Sequence, residues 1–301
     1  MYTLVMWLLF VLLSTFAWAL VNVLNSVFVH NYVKSPIALT WIQSCISLPL
    51  LLLISFWIDV RSSWILVLIL FGITAYAADL WFFYVLNHVD VSVLNASWSI
   101  LSLFLSIVGF FFFHESWSFQ QSAGSLMIIG GTLLLSLYHQ HINLRFTLYL
   151  FSTLALLYLP YYIVKKVAID AGESAAAVFF WMLIGREILS ISLPLVLPLK
   201  LKSHIRNIGS DYFFFAICFL TVSLYFLAEY FGALAYLSGP LSLVSVIANV
   251  QPFMVMCVAW VWIAFCPSKA PRELLTQQSI SIKIVSFCLV FLGLTLLTVS
   301  H

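Results

Sequence analysis

Charge is what this sequence has least of. Of its 301 residues only 7% are charged, ten acids against twelve bases, where a water-soluble domain carries about 25%. So few charges cannot coat a soluble globule of this size. A formal net charge of +2, with no basic stripe, gives nucleic acid nothing to hold. Cysteine is scarce too: Cys45, Cys218, Cys257, Cys266 and Cys288 form no CxxC pair and no metal spacing. That excludes a disulfide framework and argues for small core residues. Strand alternation is missing, which excludes an outer-membrane barrel. Gly-rich phosphate loops are missing, and no polar stretch could house a nucleotide-binding domain, so an ATP-driven pump within this chain is excluded. What is present is apolar: 64% hydrophobic and 17% aromatic residues, with a mean hydropathy of +1.14. Lipid must solvate most of such a surface.

A membrane helix needs roughly 20 mostly apolar residues, and inside lipid the backbone must bond to itself. The apolar runs predict an all-α membrane protein of ten transmembrane helices, near 4–28, 37–58, 64–86, 91–113, 119–138, 146–164, 175–199, 212–237, 241–265 and 280–299. Polar stretches separate them, among them Asn87 to Asp90, Lys165 to Ser174 and Ser238-Gly239-Pro240. The first span lacks a basic leader and a small-residue cleavage site, so it is expected to be retained.

The ten spans divide into two resembling halves, 1–140 and 141–301. Trp18 and Trp41 stand 140 residues before Tyr158 and Trp181; Asp79, Ser92 and Ser102 stand 150 before Glu229, Ser242 and Pro252. Repeats of five helices, an odd number, must lie in opposite orientations. Two inverted five-helix repeats are a transporter architecture, with a site near the bilayer midplane that rocking exposes to each side in turn.

The stretch from Val85-Leu86-Asn87-His88 through Ser102 to His114-Glu115-Ser116, followed by a helix with Gly124, Gly130 and Gly131, resembles the span-3/span-4 hairpin and fifth span of the EamA-type ten-helix members of the drug/metabolite transporter superfamily. In the second half, Ala233-Leu234-Ala235-Tyr236 through Gln251-Pro252-Phe253 resembles the matching hairpin with its proline. Two departures stand out: Phe265-Cys266 replaces the glutamate expected after span 9, and Gln43 replaces a frequent span-2 arginine. The resemblance implies a secondary transporter or exporter of small metabolites without naming one.

An ionisable side chain at mid-bilayer costs at least ~2.5 kcal/mol on insertion scales, so a chain that keeps one there pairs it, protonates it or uses it. Asp79, Arg186, Glu187 and Glu229 lie near span centres. Adjacent residues on a helix do not face each other, so Arg186 is expected to pair across helices with Asp79 or Glu229. Three acids against one base leave an acid without a partner, which is a proton-coupling site in outline; the bland alternative is a hydrogen-bonded structural acid. Asn22, Asn25, Gln43, Asn95, Asn249 and Gln251 are too polar for a lipid face. Interhelical hydrogen bonding, at ~0.6 kcal/mol per pair, accounts for most of them. Asn95 and Asn249 are the best substrate contacts, being in the helices that follow the two acids. Trp18, Trp81, Trp98, Tyr158, Tyr161 and Tyr162 lie within spans, either as packing or as a cavity wall for cations and aromatic solutes. Pro160 and Pro252 are candidate hinges or static kinks. Gly124, Gly130, Gly131 and Gly293 read as close helix contacts.

The leading expectation is therefore an alternating-access exporter of a small amphipathic metabolite, amino acids included, against proton entry. Asp79 and Glu229 hold the proton or a substrate ammonium, Arg186 balances them, and Asn95, Asn249, Trp18, Tyr158 and Trp98 shape the cavity. Membrane lipid and a small-molecule substrate are the expected partners, with no cofactor, no metal and no nucleic acid. A flippase for lipids or lipid-linked sugars on the same scaffold is one alternative. An intramembrane lipid-modifying enzyme is another, although the seven histidines sit at span ends or in loops and form no HExxH. The plasma (cytoplasmic or inner) membrane is the expected location. Counting Lys34, Arg145, Lys200, Lys202, Arg206, Lys269, Arg272 and Lys283 against Arg61, Lys165 and Lys166 puts both termini outside, whereas the family resemblance implies termini in the cytoplasm.

Overall fold

The computed structural model describes residues 2–138, 144–196, 211–272 and 277–299. Among them the chain is helical throughout, with no strand. The helices are α1 (Tyr2–Asn31), α2 (Pro36–Ile54), α3 (Ile65–Leu86), α4 (Val91–Ala96), α5 (Trp98–Phe112), α6 (Phe119–Tyr138), α7 (Leu144–Asp170), α8 (Ala175–Val196), α9 (Tyr212–Ser238), α10 (Leu241–Ala248), α11 (Gln251–Phe265) and α12 (Gln277–Val299). Among the described residues eight stretches are long and apolar enough to cross a membrane, two of them the rods formed by α4 with α5 and by α10 with α11. With α6 and α12 they make the ten expected rods. Exposed Phe56, Leu66, Phe111, Phe112, Phe119 and Phe265 face outward, as lipid-solvated side chains do.

Local chemistry sets the ends. Ser35 caps α2 by accepting from Ala38 N at 3.4 Å, with Pro36 at the first helical position, where its missing N–H costs nothing. Asp211 caps α9, accepting from Phe213 N at 3.0 Å and Phe214 N at 3.2 Å. The cap of α10 comes from the other half of the chain: Glu115 Oε1 accepts from Leu241 N at 2.6 Å and Oε2 from Ser242 N at 3.1 Å. A carboxylate at a helix N-terminus satisfies orphan N–H groups and the helix dipole together.

The fourth and ninth rods are broken, where continuous helices were expected. At Ser97 the backbone tightens to i→i+3 bonds (Ser97 N to Leu94 O, Ile100 N to Ser97 O), and the Ser97 hydroxyl takes the Leu94 carbonyl at 2.6 Å. At Asn249-Val250 the same tightening precedes Pro252, which has no N–H to donate back to Ala248. Pro252 thus starts α11 rather than kinking a continuous span, whereas Pro160 lies inside an unbroken α7. The sixth span also differs from expectation: α7 runs on to Asp170 rather than stopping near 164.

Several pairings between residues 1–140 and 141–301 come in matching sets. The packing of α1 on α9 has its counterpart in α3 on α7, α5 on α10 in α4 on α11, and α1 on α11 in α5 on α7. The contacts of α6 with α12 and of α2 with α8 join equivalent rods. At the crossing of α3 and α8 a Cβ on Gly72 would stand 2.0 Å from Met182 O, and one on Gly185 2.1 Å from Ile69 O. Only glycine allows that approach, and it sets Arg186, next in sequence, against α3. Gly293 meets the Gly124 carbonyl in the same manner, and Gly131 meets Ser286. Gly130 differs from expectation, since a Cβ there would meet open space.

Candidate functional site

A central cavity is lined from eight of the ten rods, with no lining residue from α6 or α12 among the described residues. Its charged lining is Asp79, Lys165, Arg186 and Glu229. The α3–α8 approach brings Arg186 Nε onto Asp79 Oδ2, while Tyr158 Oη donates to Asp79 Oδ1. The guanidinium also lies 4.7 Å from the Tyr225 ring centre. On the other acid, Lys165 Nζ stands 2.5 Å from Glu229 Oε2, and Tyr161 Oη donates to the same oxygen at 2.7 Å. The Lys165 ammonium covers the Tyr161 ring at 4.4 Å.

Depth separates the two pairs. Asp79 precedes the end of α3 at Leu86 by about 10 Å, and Glu229 precedes the end of α9 at Ser238 by about 14 Å, at 1.5 Å per residue. Those ends belong to opposite faces of the bundle, so the pairs are stacked along its axis. One helix reaches both: Tyr158, Tyr161, Tyr162 and Lys165 are spaced at i, i+3, i+4 and i+7 along α7, which is one helix face.

Amides make a third group. Asn95 Oδ1 accepts from Asn22 Nδ2 at 2.5 Å and from Gln251 Nε2 at 2.7 Å, and its own Nδ2 donates to Val91 O at 2.7 Å. Gln43 Nε2 donates to Asn25 Oδ1 at 2.8 Å.

The cavity gathers most of the expected residues. Asp79, Glu229, Arg186, Trp18, Tyr158 and Trp98 line it. Trp18 meets Tyr225 edge-on at 5.2 Å, and Trp98 lies 5.0 Å from Tyr158 with its buried indole N–H unpartnered. Asn95 and Asn249 are fully buried outside the lining: Asn95 is spent on interhelical bonds, and Asn249 sits at the break with both amide atoms unpartnered. Neither proline lines the cavity. Trp81 donates to Leu150 O at 3.1 Å and acts as packing.

Three charge assignments need correction. Lys165, read as a loop residue, is 1% exposed inside α7. Two consecutive lysines resembled a helix end, yet the tyrosine face running into position 165 was the available signal. Lys283, also counted among the loops, is buried in α12. Arg186 and Glu187, expected to diverge, are paired through Nη1 and Oε1, because the long side chain carries the guanidinium to a position between Asp79 and Glu187. The orientation count loses Lys165 and Lys283 accordingly; Lys200, Lys202 and Arg206 lie outside the described residues.

Comparison with known proteins agrees with this architecture. The profile of the EamA-like transporter family matches residues 5–137. A solved crystal structure, 15% identical, covers 97% of this chain with 96% of its own length, at a TM-score of 0.67. No curated protein matches the chain.

Proposed function

The chain is EamA-like over residues 5–137, a multi-pass membrane protein of the drug/metabolite transporter type, and from that premise we propose a secondary transporter that moves a small zwitterionic metabolite against protons. Its two halves act as inverted repeats around the shared cavity. The observation that carries this reading is the pair of opposite charges at each of two depths, Asp79 with Arg186 and Glu229 with Lys165.

Each pair is a latch that a zwitterion can open. A substrate ammonium competes with Arg186 or Lys165 for a carboxylate, and its carboxylate competes with Asp79 or Glu229 for the cation. A proton on either acid releases its cation in the same way. The hydroxyls of Tyr158 and Tyr161 hold the acids in place while partners exchange, and Trp18, Trp98 and Tyr225 offer aromatic faces to the rest of the solute.

Both ends of the bundle carry polar contacts between helices. Beyond α11, Arg272 donates to Asn87 O at 3.2 Å and through its backbone N–H to Ser26 Oγ at 3.2 Å, accepts from Val91 N on its carbonyl at 3.2 Å and lies 3.6 Å from Asp90, strapping α1, α3 and α4 together. At the opposite end Lys166 donates to Tyr236 O at 3.1 Å and pairs with Asp170 at 2.7 Å. In this reading those contacts are the gates that alternate. The central lining from eight rods favours a solute over a lipid.

The test is a thermal-shift screen of purified protein with zwitterions and their esterified and N-acylated analogues. A ligand that binds only the folded state raises its apparent stability. The expected result is stabilisation by a zwitterion, reduced when either of its charges is removed. Equal stabilisation by the neutral analogues would overturn the charge-exchange reading.

A further inference from the structure

Behind the cavity, α2, α3 and α8 enclose a seam of oxygen atoms. Glu187 is fully buried, and only one of its carboxylate oxygens is engaged: Oε1 accepts from Ser47 at 2.9 Å and from Arg186, while Oε2 has no hydrogen-bond partner. One turn further along α8, the Ser190 hydroxyl is fully buried and makes no bond of good geometry. One turn back from Ser47 along α2, the same holds for Ser44. The two helices run antiparallel, so with Ser47 opposite Glu187, Ser44 comes opposite Ser190. The Tyr76 hydroxyl of α3, next to Ser190 and 3.3 Å from Thr40 Oγ1, lies at the same end.

Ser190 keeps its hydroxyl beside that of Tyr76, and Ser44, like Ser125 and Ser286 elsewhere in the bundle, makes no bond of good geometry. A serine or threonine in a helix ordinarily returns its hydroxyl to a carbonyl one turn back, as Thr15, Ser106, Thr132, Thr153, Thr221 and Ser223 do. Ser44 and Ser190 keep theirs off their own backbone, although buried polar groups as a rule find partners. Charge is out of balance at the same place. Asp79 and Glu187 share the single guanidinium of Arg186, two negative charges against one positive, whereas Glu229 is matched by Lys165.

We infer that this seam binds one monovalent alkali cation, with Glu187 Oε2 as the anionic ligand and the Ser44 and Ser190 hydroxyls as neutral ligands. Oxygen-only donors suit a hard cation. A single positive charge neutralises the Asp79–Arg186–Glu187 group, and a divalent ion would leave a surplus where bare charge is costly. The site is distinct from the solute cavity, whose lining includes Ser47 but not Ser44, Glu187 or Ser190. The cation holds α2 and α8 together and fixes Arg186 through the carboxylate they share.

The test follows thermal unfolding of the full chain in detergent, by tryptophan fluorescence, in sodium, potassium, lithium and choline chlorides at matched ionic strength and two pH values. The expected result is a saturable rise in unfolding temperature with at least one alkali ion and none with choline. Glu187→Gln abolishes the rise. Should that variant fail to fold, Ser190→Ala and Ser44→Ala, which remove no charge, move half-saturation upward by about tenfold or more. Glu229→Gln in the cavity keeps the alkali dependence. Equal unfolding temperatures in all four salts would overturn the proposal. So would dependence kept in Ser190→Ala and Ser44→Ala, dependence lost in Glu229→Gln, or stabilisation that follows pH with no alkali requirement, which would assign the balancing charge to a proton.

Discussion

The two halves have the same rods and opposite chemistries. In the first half α1 and α2 bring amides and a hydroxyl to the centre, Asn22, Asn25, Gln43 and Ser47; in the second, α7 and α8 bring ions and phenols, Tyr158, Tyr161, Lys165, Arg186 and Glu187. At an offset of 140, Asn25 corresponds to Lys165 and Ser47 to Glu187. Ser47 and Glu187 even touch, at 2.9 Å. The scaffold therefore tolerates either a neutral or a charged residue at these places. Both acids, one from each half, accept from tyrosines of α7 and pair with a cation of the second half.

The sharpest way to break the contrast is to make the second half resemble the first. Lys165→Asn strands the Glu229 carboxylate, and breaking a buried pair costs about 3–5 kcal/mol. Unfolding in detergent should show that loss, and adding Glu229→Gln should recover most of it. If Lys165→Asn alone is neutral, the Glu229 pair is not what holds this region. Next in size is Gly185→Leu, which forces α3 off α8 and should cost about 1–3 kcal/mol by overpacking. Because it displaces Arg186 from Asp79, it should also weaken ligand stabilisation, which thermal shift reads directly. Glu115→Ala removes the cap of α10, at about 1 kcal/mol. The reverse contrast gives a smaller effect: Asn25→Ala frees Gln43 from one interhelical bond, at about 0.6 kcal/mol. Asp211→Ala should do least. The N–H groups of Phe214 and Phe213 and the nearby Lys269 hold the Asp211 carboxyl below its ordinary range. Its contribution to α9 is therefore present above that ordinary range and fades as pH falls through the lowered value, so an acid titration of unfolding should show wild type and variant converging.

Much of this was legible in the sequence because lipid makes few demands. Long apolar runs must be helices, and a mid-span Asp79, Arg186 or Glu229 must find a partner, so their meeting in one cavity could be anticipated. Lys165 escaped because a Lys-Lys dipeptide at the end of an apolar run also describes an ordinary helix terminus; only the tyrosines before it marked the face. The amides were harder. Asn95 and Asn249 lie in the helices after the acids, yet side-chain direction at a helix break depends on local i→i+3 bonding that no periodicity encodes. Arg186 and Glu187 show a related failure: helical spacing describes Cβ directions, and a guanidinium reaches far beyond them.

The most direct measurement is flux in proteoliposomes of whichever zwitterion stabilises the protein, driven by an imposed pH gradient, with wild type beside Asp79→Asn and Glu229→Gln. Gradient-driven accumulation is expected in wild type, with loss of gradient dependence in both variants while exchange of labelled for unlabelled solute continues. Gradient-driven accumulation that survives both substitutions would contradict it.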